Sequence, residues 1–403
     1  MNARFCHLTK IQHSIFYTYL YHVQTHYDYI ILGAGLSGLT TALRMARDPF
    51  FSKKSIAIID QDLNKSNDRT WCFWEIKPSM YEAIVSYTWP SVLIKGEGVH
   101  SHIDIAPYTY KKIESAGLYA FAKAELSQHS NITFIEASVS TITTLDGKAT
   151  VTTDISIFES PAVLNSIYKP SLLKEQTQAV VLQQHFIGWF VKTEKPVFDP
   201  KQATYMDFSI AQEGNCRFMY VLPTSTTEAL LEYTLFSEKL LSKAEYENAI
   251  KTYLKNLGVD NYEIIDREQG SIPMTTYDFT QHNTPHVLHI GTAGGWTKAS
   301  TGYTFTHTLK KSKDLIAFLK TNSRFTTYSL ANRWRFYDAV LLEVLAKHNE
   351  QGASIFTRMF KKGKASHIFR FLDEESSLAD ELRVVLSAPK IPFIKAALKV
   401  IFK

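Results

Sequence analysis

The sequence predicts an α/β fold in which a nucleotide-binding sheet is followed by an antiparallel-sheet domain and a helical C-terminal region. Three observations carry the prediction: a strand, glycine turn and helix near the N-terminus, a succession of short strands and turns from about residue 151, and helical segments with accompanying lysine and arginine after residue 325.

Tyr29-Ile30-Ile31-Leu32 is a short apolar run that feeds Gly33, Gly35 and Gly38 in G-x-G-x-x-G spacing, and Leu39 to Met45 reads as a helix. In such a unit the first glycine turns the chain, the second lets a pyrophosphate approach the backbone, and the third lets the helix pack on the strand. Amides at the helix start are then free to meet phosphates. A second strand, Ser55 to Ile59, ends in Asp60, 22 residues after Gly38, where a ribose-binding acid belongs. A ligand-free glycine turn is the alternative, but strand, helix and acid together favour a Rossmann-type dinucleotide domain.

With 403 residues the chain suits two domains and some extension. Its composition is globular, although aromatic residues make up 13%, so large apolar surfaces are being lined. The 44 Lys and Arg against 39 Asp and Glu leave a mild net charge of +5, which gives no reason to expect nucleic acid. Cys6, Cys72 and Cys216 are scattered, without metal-ligand spacing, so neither disulfides nor a metal site is expected and the cytoplasm is the simplest compartment. Residues 1–26 read as a loose extension rather than a signal peptide, and no stretch approaches the 18 apolar residues of a membrane-spanning helix.

Residues 27–150 are expected to be the first part of the nucleotide-binding domain. Within them Asp68-Arg69-Thr70-Trp71-Cys72-Phe73-Trp74-Glu75 concentrates aromatic area that would be costly on an exposed loop. Ligand contact and ordinary core packing are both open for it. Gly117 to His129 reads as a helix and Ile132 to Glu136 as a strand.

Residues 151–285 read as a β-rich substrate domain, with strands at Val180 to Val191, Ala203 to Ile210, Arg217 to Leu222 and Ala229 to Phe236. Ser242 to Asn256 is a helix, and Gly270-Ser271-Ile272-Pro273-Met274 reads as a turn entering a loop. Residues 286–325 return to the first domain: Val287 to Gly291 is a strand, and glycine-rich Thr292 to Gly302 leads into a helix. A second unit of this kind is what a flavin needs beneath its ring and ribityl chain. Residues 326–403 are helical and basic. Lys395, Lys399 and Lys403 fall every fourth residue, with Ile394, Leu398, Ile401 and Phe402 elsewhere, as in a helix lying on an anionic bilayer, although a solvated basic face fits the same spacing.

On the strand Leu230-Leu231-Glu232-Tyr233-Thr234, alternation sends Leu230, Glu232 and Thr234 to one face and Leu231, Tyr233 and Leu235 to the other. A lone carboxyl on an apolar face has a raised pKa and stays protonated, able to donate. An exposed edge glutamate is the alternative.

These segments, together with Tyr220-Val221-Leu222-Pro223, Gly270 to Met274, Ala293-Gly294-Gly295 and Ala299-Ser300-Thr301-Gly302-Tyr303, resemble the lycopene cyclases, flavoprotein carotenoid cyclases, over nearly the whole chain from Tyr27. The resemblance implies an isomerase of carotenoid biosynthesis, a lycopene β-cyclase that uses reduced FAD without net redox chemistry, with NAD(P)H as reductant. Family segments at this strand usually read F-L-E-E-T; Glu232 matches the first acid and Tyr233 replaces the second. The implied catalytic acid is therefore Glu232. Implied FAD contacts are Gly33, Gly35, Gly38, Asp60, Arg69, Gly291, Thr292, Gly294 and Gly302, with Thr292 standing where many related flavoproteins have an aspartate. Trp71, Phe73, Trp74 and Tyr233 are the implied substrate contacts. The implied partners are acyclic carotenoid ends and a membrane surface, making the protein cytoplasmic and peripherally membrane-associated. A redox flavoprotein on the same fold, a monooxygenase or prenyl reductase acting on a lipophilic substrate, is the competing enzyme reading, and a non-catalytic flavin-bound carrier is a third.

Overall fold

A computed structural model describes residues 25–96, 98–322 and 324–402. Most of the N-terminal extension, with Cys6, and also Lys403 lie outside the described residues.

Five parallel strands form the nucleotide-binding sheet, in the spatial order Val287–His289, Val163–Asn165, Tyr29–Leu32, Ile56–Asp60 and Ile132–Glu136. Their apolar runs do not alternate because both faces are covered. Ile31, Ile58, Leu164 and Leu288 pack beneath the helix Leu36–Arg47. Ile30, Leu32, Ala57 and Ile59 pack against a three-stranded antiparallel sheet, Val139–Leu145, Lys148–Thr153 and Ile157–Ser160. The expected boundary at residue 150 thus cuts through a strand, and the first part of this domain continues to Asn165. Helix Phe305–Thr321 lies alongside Leu36–Arg47, joined to it by Arg44, whose Nη2 donates to the Leu309 carbonyl at 2.9 Å and Nε to Ser312 Oγ at 2.8 Å.

The second domain is built on a seven-stranded sheet with the order Tyr262–Thr275, Val181–Thr193, Glu228–Ser237, Cys216–Pro223, Gln202–Asp207, Ser91–Gly96 and Val99–Asp104. Its neighbours are antiparallel except Gln202–Asp207 with Ser91–Gly96, so the sheet is mixed, and its last two strands come from the stretch assigned by sequence to the nucleotide domain. Gly270 to Met274, read as a turn, lies inside the 14-residue strand Tyr262–Thr275. One sheet face packs on helix Lys243–Asn256, which begins in a capping box of Ser242 and Glu245 and stops before Gly258 at a φ of 76°. A smaller sheet, Thr70–Glu75, Thr109–Glu114 and Val85–Trp89, joins the two domains. Phe73 stacks on Phe305 of the return helix with centroids 4.2 Å apart, while Trp74 stacks on Phe369 at 4.8 Å.

The C-terminal region is helical as expected: Trp334–Lys347, Gly352–Lys362, Ala365–Leu372, Leu378–Ser387 and Lys390–Ile401. Leu342, Ile355, Phe356 and Phe369 cover the large sheet beside Phe208, Phe218 and Phe236. One buried ion cluster ties this cover to the return segment. Lys298 Nζ lies 2.9 Å from Asp338 and 3.0 Å from Glu374, and its side chain is 1% exposed. Removing the ammonium leaves two carboxylates uncompensated away from water, which costs far more than a surface pair would. Lys298→Met is therefore expected to lower the stability by about 3–5 kcal/mol, read as a drop in urea or thermal midpoint; a midpoint unchanged from the wild type would show the cluster to be energetically idle.

Candidate active site

Gly33 adopts a φ of +94°, and a Cβ there would come within 2.3 Å of Ser166 Oγ. A Cβ on Gly38 would lie 2.0 Å from the Gly33 carbonyl oxygen. Both positions are closed to larger residues, whereas nothing lies within 4 Å of a Cβ built on Gly35. Gly35 opens the helix without a side-chain cap, and no acid occupies the first turn. The result is an uncapped amide cradle beside open space, which fits an anionic pyrophosphate. Gly291, with φ +62°, seats against Ser37 of the same helix, so the return segment closes on the cradle. Thr292 Oγ1 pairs with Thr297 Oγ1 at 3.3 Å, and Gly294 presses on the His289 carbonyl. Asp60 is more occupied than its spacing suggests. Its Oδ2 accepts from the Ala34 amide at 2.5 Å and from Lys65 Nζ at 2.6 Å, and its Oδ1 accepts from the Asp62 amide at 3.0 Å. The acid thus braces the glycine loop as well as ending its strand.

A cavity of about 140 Å³ lies between the large sheet, the small sheet and the return segment. Its sheet wall carries Phe186, Phe218, Tyr220, Glu232, Phe236 and Glu268, and Gly302, Tyr303 and Phe305 close the side toward the cofactor cradle. Glu232 is buried, with 8% of its surface exposed, and its carboxyl has no hydrogen-bond partner among the described residues. Burial and then the charge of Glu268 push its pKa well above the usual carboxylate range.

Strand register explains why two acids meet here. Tyr220 pairs with Glu232, Glu232 with Gly188, and Gly188 with Glu268, giving one row across four strands. Side chains in such a row project from the same face. Gly188 leaves the middle of the row empty: a Cβ there would meet Glu232 Cγ at 2.8 Å and Glu268 Cγ at 3.1 Å. Glu268 is half-buried, and Thr70 Oγ1 donates to its Oε2 at 2.7 Å. Burial raises its pKa to about 7 against the opposing pull of Thr70, Lys112 and Arg69.

The aromatic cluster divides. Trp71 lines the cavity with Arg69 and Cys72, whereas Phe73 and Trp74 are buried packing residues outside it. Of the three aromatics only Trp71 borders this cavity, because the strand is sandwiched and its inner half belongs to the two cores. Tyr233, too, stands apart from the cavity. It lies on the opposite sheet face, in the cluster with Tyr246, Ile250 and Leu254, and Arg217 Nη1 donates to its hydroxyl at 2.9 Å. Alternation at the Glu232 strand is as read from sequence, but it necessarily turns Tyr233 away from Glu232. Glu268 and Gly188 were not singled out by sequence. The available signal was a glutamate two residues before Gly270 in a strand facing a lone glycine within Phe186-Ile187-Gly188-Trp189-Phe190.

Residues 28–398 match the family described as lycopene cyclase protein. The chain belongs to the lycopene cyclase family. Two relatives are lycopene beta-cyclases: that of Paracoccus sp. (strain N81106 / MBIC 01143) is 25% identical over 398 residues, covering 91% of this chain and 95% of the relative. That of Pantoea ananas is 22% identical over 400 residues, covering 93% and 98%. In fold the chain is similar to a flavin-dependent brominase, with a TM-score of 0.58, 14% identity and coverage of 90% and 98%. It is likewise similar to a geranylgeranyl bacteriochlorophyll reductase-like protein of Thermoplasma acidophilum, with a TM-score of 0.55, 12% identity and coverage of 94% and 96%. These likenesses show a shared architecture of Rossmann-type sheet, sheet domain and helical C-terminal region.

In this cyclase-family chain the placement of Tyr233 has a direct consequence. Tyr233→Phe removes one hydrogen bond on the helix-covered face and is expected to cost about 1 kcal/mol in urea denaturation while leaving carotenoid binding unchanged. A tenfold loss of binding would return Tyr233 to the cavity.

Proposed function

We propose that this protein is a lycopene β-cyclase, an isomerase that closes the acyclic ends of lycopene to β-ionone rings, giving β-carotene through γ-carotene. The observation that carries the reading is Glu232: a buried carboxyl without a hydrogen-bond partner among the described residues, its pKa pushed up by burial, facing an aromatic cavity in a lycopene cyclase family chain. Such an acid can give its proton to the terminal double bond. A C–H bond forms, the neighbouring double bond attacks the tertiary cation, and loss of a ring proton creates the new alkene. Proton given and proton released balance, so no electrons are consumed.

A cation in an apolar cleft is costly unless aromatic faces or negative charge surround it. Trp71, Phe186, Tyr220 and Tyr303 supply the faces. The Tyr220 and Tyr303 hydroxyls, held neutral by burial, add no charge of their own. The Gly35 to Gly38 amides would hold the pyrophosphate of FAD, with Asp60, Arg69, Gly291, Thr292, Gly294 and Gly302 completing its site. Bound in reduced form, with NAD(P)H as reductant, FAD supplies negative charge that offsets the cation. The C-terminal helices pack behind Phe218 and Phe236 of the cavity wall, and an apolar lining of this kind limits the water that could trap the cation. The ring type follows the two β-cyclase relatives.

The substrate is a lipid, and the C-terminal helices suit docking on a bilayer. Among the described residues no helix is long and apolar enough to cross one. Helices Leu378–Ser387 and Lys390–Ile401 instead leave Leu378, Leu382, Ile391, Ile394, Ile401 and Phe402 exposed, the last at 84%. Lys390 and Lys395 accompany them, whereas Lys399 is drawn inward to an ion pair with Glu343. Exposed apolar groups flanked by lysines are suited to an anionic membrane surface. The double variant Ile394→Glu/Ile401→Glu is expected to weaken co-sedimentation with anionic vesicles at least about tenfold; undiminished binding would move the membrane contact elsewhere.

Expression in a lycopene-accumulating bacterium, with pigment analysis, tests the reaction and ring type together. Ring closure by the pure protein with reduced flavin under nitrogen, without stoichiometric cofactor use, separates a cyclase from a monooxygenase or reductase. Glu232→Gln is expected to retain flavin and lose at least about 100-fold in cyclisation; retained turnover would remove Glu232 from the chemistry.

A further inference from the structure

We propose that Glu268 is the charge and proton partner of Glu232, a positioning residue that leans over Gly188 to keep the catalytic acid loaded. The inference rests on the cyclase reading and assigns a second carboxyl that the Tyr233 position does not supply.

Geometry comes first. Glu232 and Glu268 stand on strands separated by the Gly188 strand, a distance that would ordinarily keep two side chains apart. Glycine removes the barrier. Both Cγ atoms crowd the point where a residue-188 Cβ would stand, at 2.8 and 3.1 Å, so their separation cannot exceed those two distances combined. Both acids therefore stand over the same gap, close enough for the charge of one to act on the other. Both acids line the same cavity, and like charges so placed cannot both ionise cheaply.

The surroundings decide which acid keeps the proton. Glu268 accepts a hydrogen bond from Thr70, and Lys112 and Arg69 favour its charged form, with Asp266 on its own strand opposing them. Glu232 faces burial and the charge of Glu268 without a compensating cation. Cys72, across the cavity, has its thiol pushed up to about 12, and burial likewise raises the hydroxyls of Tyr205, Tyr220 and Tyr303, so these four stay neutral. Asp68 stands at the rim beside Arg69. Of the two, Glu232 is the one that holds its proton to higher pH, and Glu268 is the one that ionises first, near pH 7.

In turnover Glu232 passes its proton to the alkene carbon and becomes a carboxylate beside a second carboxylate. Repulsion makes it a stronger base, ready to regain a proton when the ring C–H bond releases its electron pair to the new double bond. When Glu232 is deprotonated by other means, Glu268 takes a proton from solvent at the rim and passes it on. The partnership neither creates nor consumes protons.

The sign of the pH effect follows. The active form has Glu232 protonated; ionised Glu268 raises the pH at which that proton is lost. In the full-length holoprotein, Glu268→Gln, which can still accept from Thr70, is expected to shift the alkaline limb of kcat/KM down by about one pH unit or more. Turnover at pH 8 should fall about tenfold, and Glu268→Asp should restore the limb toward the wild type. A limb in Glu268→Gln that superimposes on the wild type, or an identical shift in Glu268→Asp, overturns the inference while leaving the cyclase reading intact.

A second measurement needs no activity. In ¹³C NMR of the glutamate carboxyls of the wild-type holoprotein, with Glu232→Gln and Glu268→Gln used for assignment, the Glu232 signal should respond as Glu268 titrates. Independent titration overturns the pairing even if Glu268→Gln does not fold. Absence of any ring closure by the wild type, with coupled titration present, sinks the cyclase reading instead.

Discussion

Taking a carboxyl out of water without giving it a cation is the constraint around which this structure is organised. Glu232 accepts that cost and answers it by staying protonated. A protonated carboxylic acid is of chemical use only where nothing else accepts its proton, and the cavity around it meets that condition. Its walls are aromatic rings and neutral hydroxyls, with Glu268 beside Glu232, Asp68 at the rim, and the cations placed toward Glu268 and the rim.

The same site depends on contacts far apart in the chain. Strand Thr70–Glu75 brings Thr70 and Trp71 to the cavity while committing Phe73 and Trp74 to the cores beneath it. Phe305, at the start of the return helix, meets Phe73 and also borders the cavity, coupling the cofactor cradle to the acid site through a single aromatic stack. The C-terminal helices, secured through Lys298, pack behind Phe218 and Phe236 of the cavity wall, and their outer surface is left apolar. One set of helices thus supports the large sheet on its inner side and exposes apolar groups on its outer side.

Elements with strong local signals are legible in the amino-acid sequence. The glycine turn at Gly33, the Ser242 helix start and the alternation at Glu232 each depend on neighbours within a few residues, and each stands as read. Gly270 to Met274 shows where local reading stops. Glycine and proline mark a turn by propensity, yet pairing with Val181–Thr193 and the close pass of the Phe186 ring hold the segment extended. The strands of residues 91–104 join a sheet whose other members begin at residue 181, a partnership that no composition shift announces.

The sequence by itself determined a dinucleotide cradle, a sheet face carrying an isolated acid, and a basic helical C-terminus, because each is written in spacing along the chain. Only the tertiary structure decided that the face of Tyr233 is sealed beneath a helix, that Asp60 braces its own loop, and that Glu268 stands across Gly188 from Glu232. The reason is register: residues 188, 232 and 268 become neighbours through hydrogen bonds between strands, and no pattern within any one strand records which residue of the next will lie opposite.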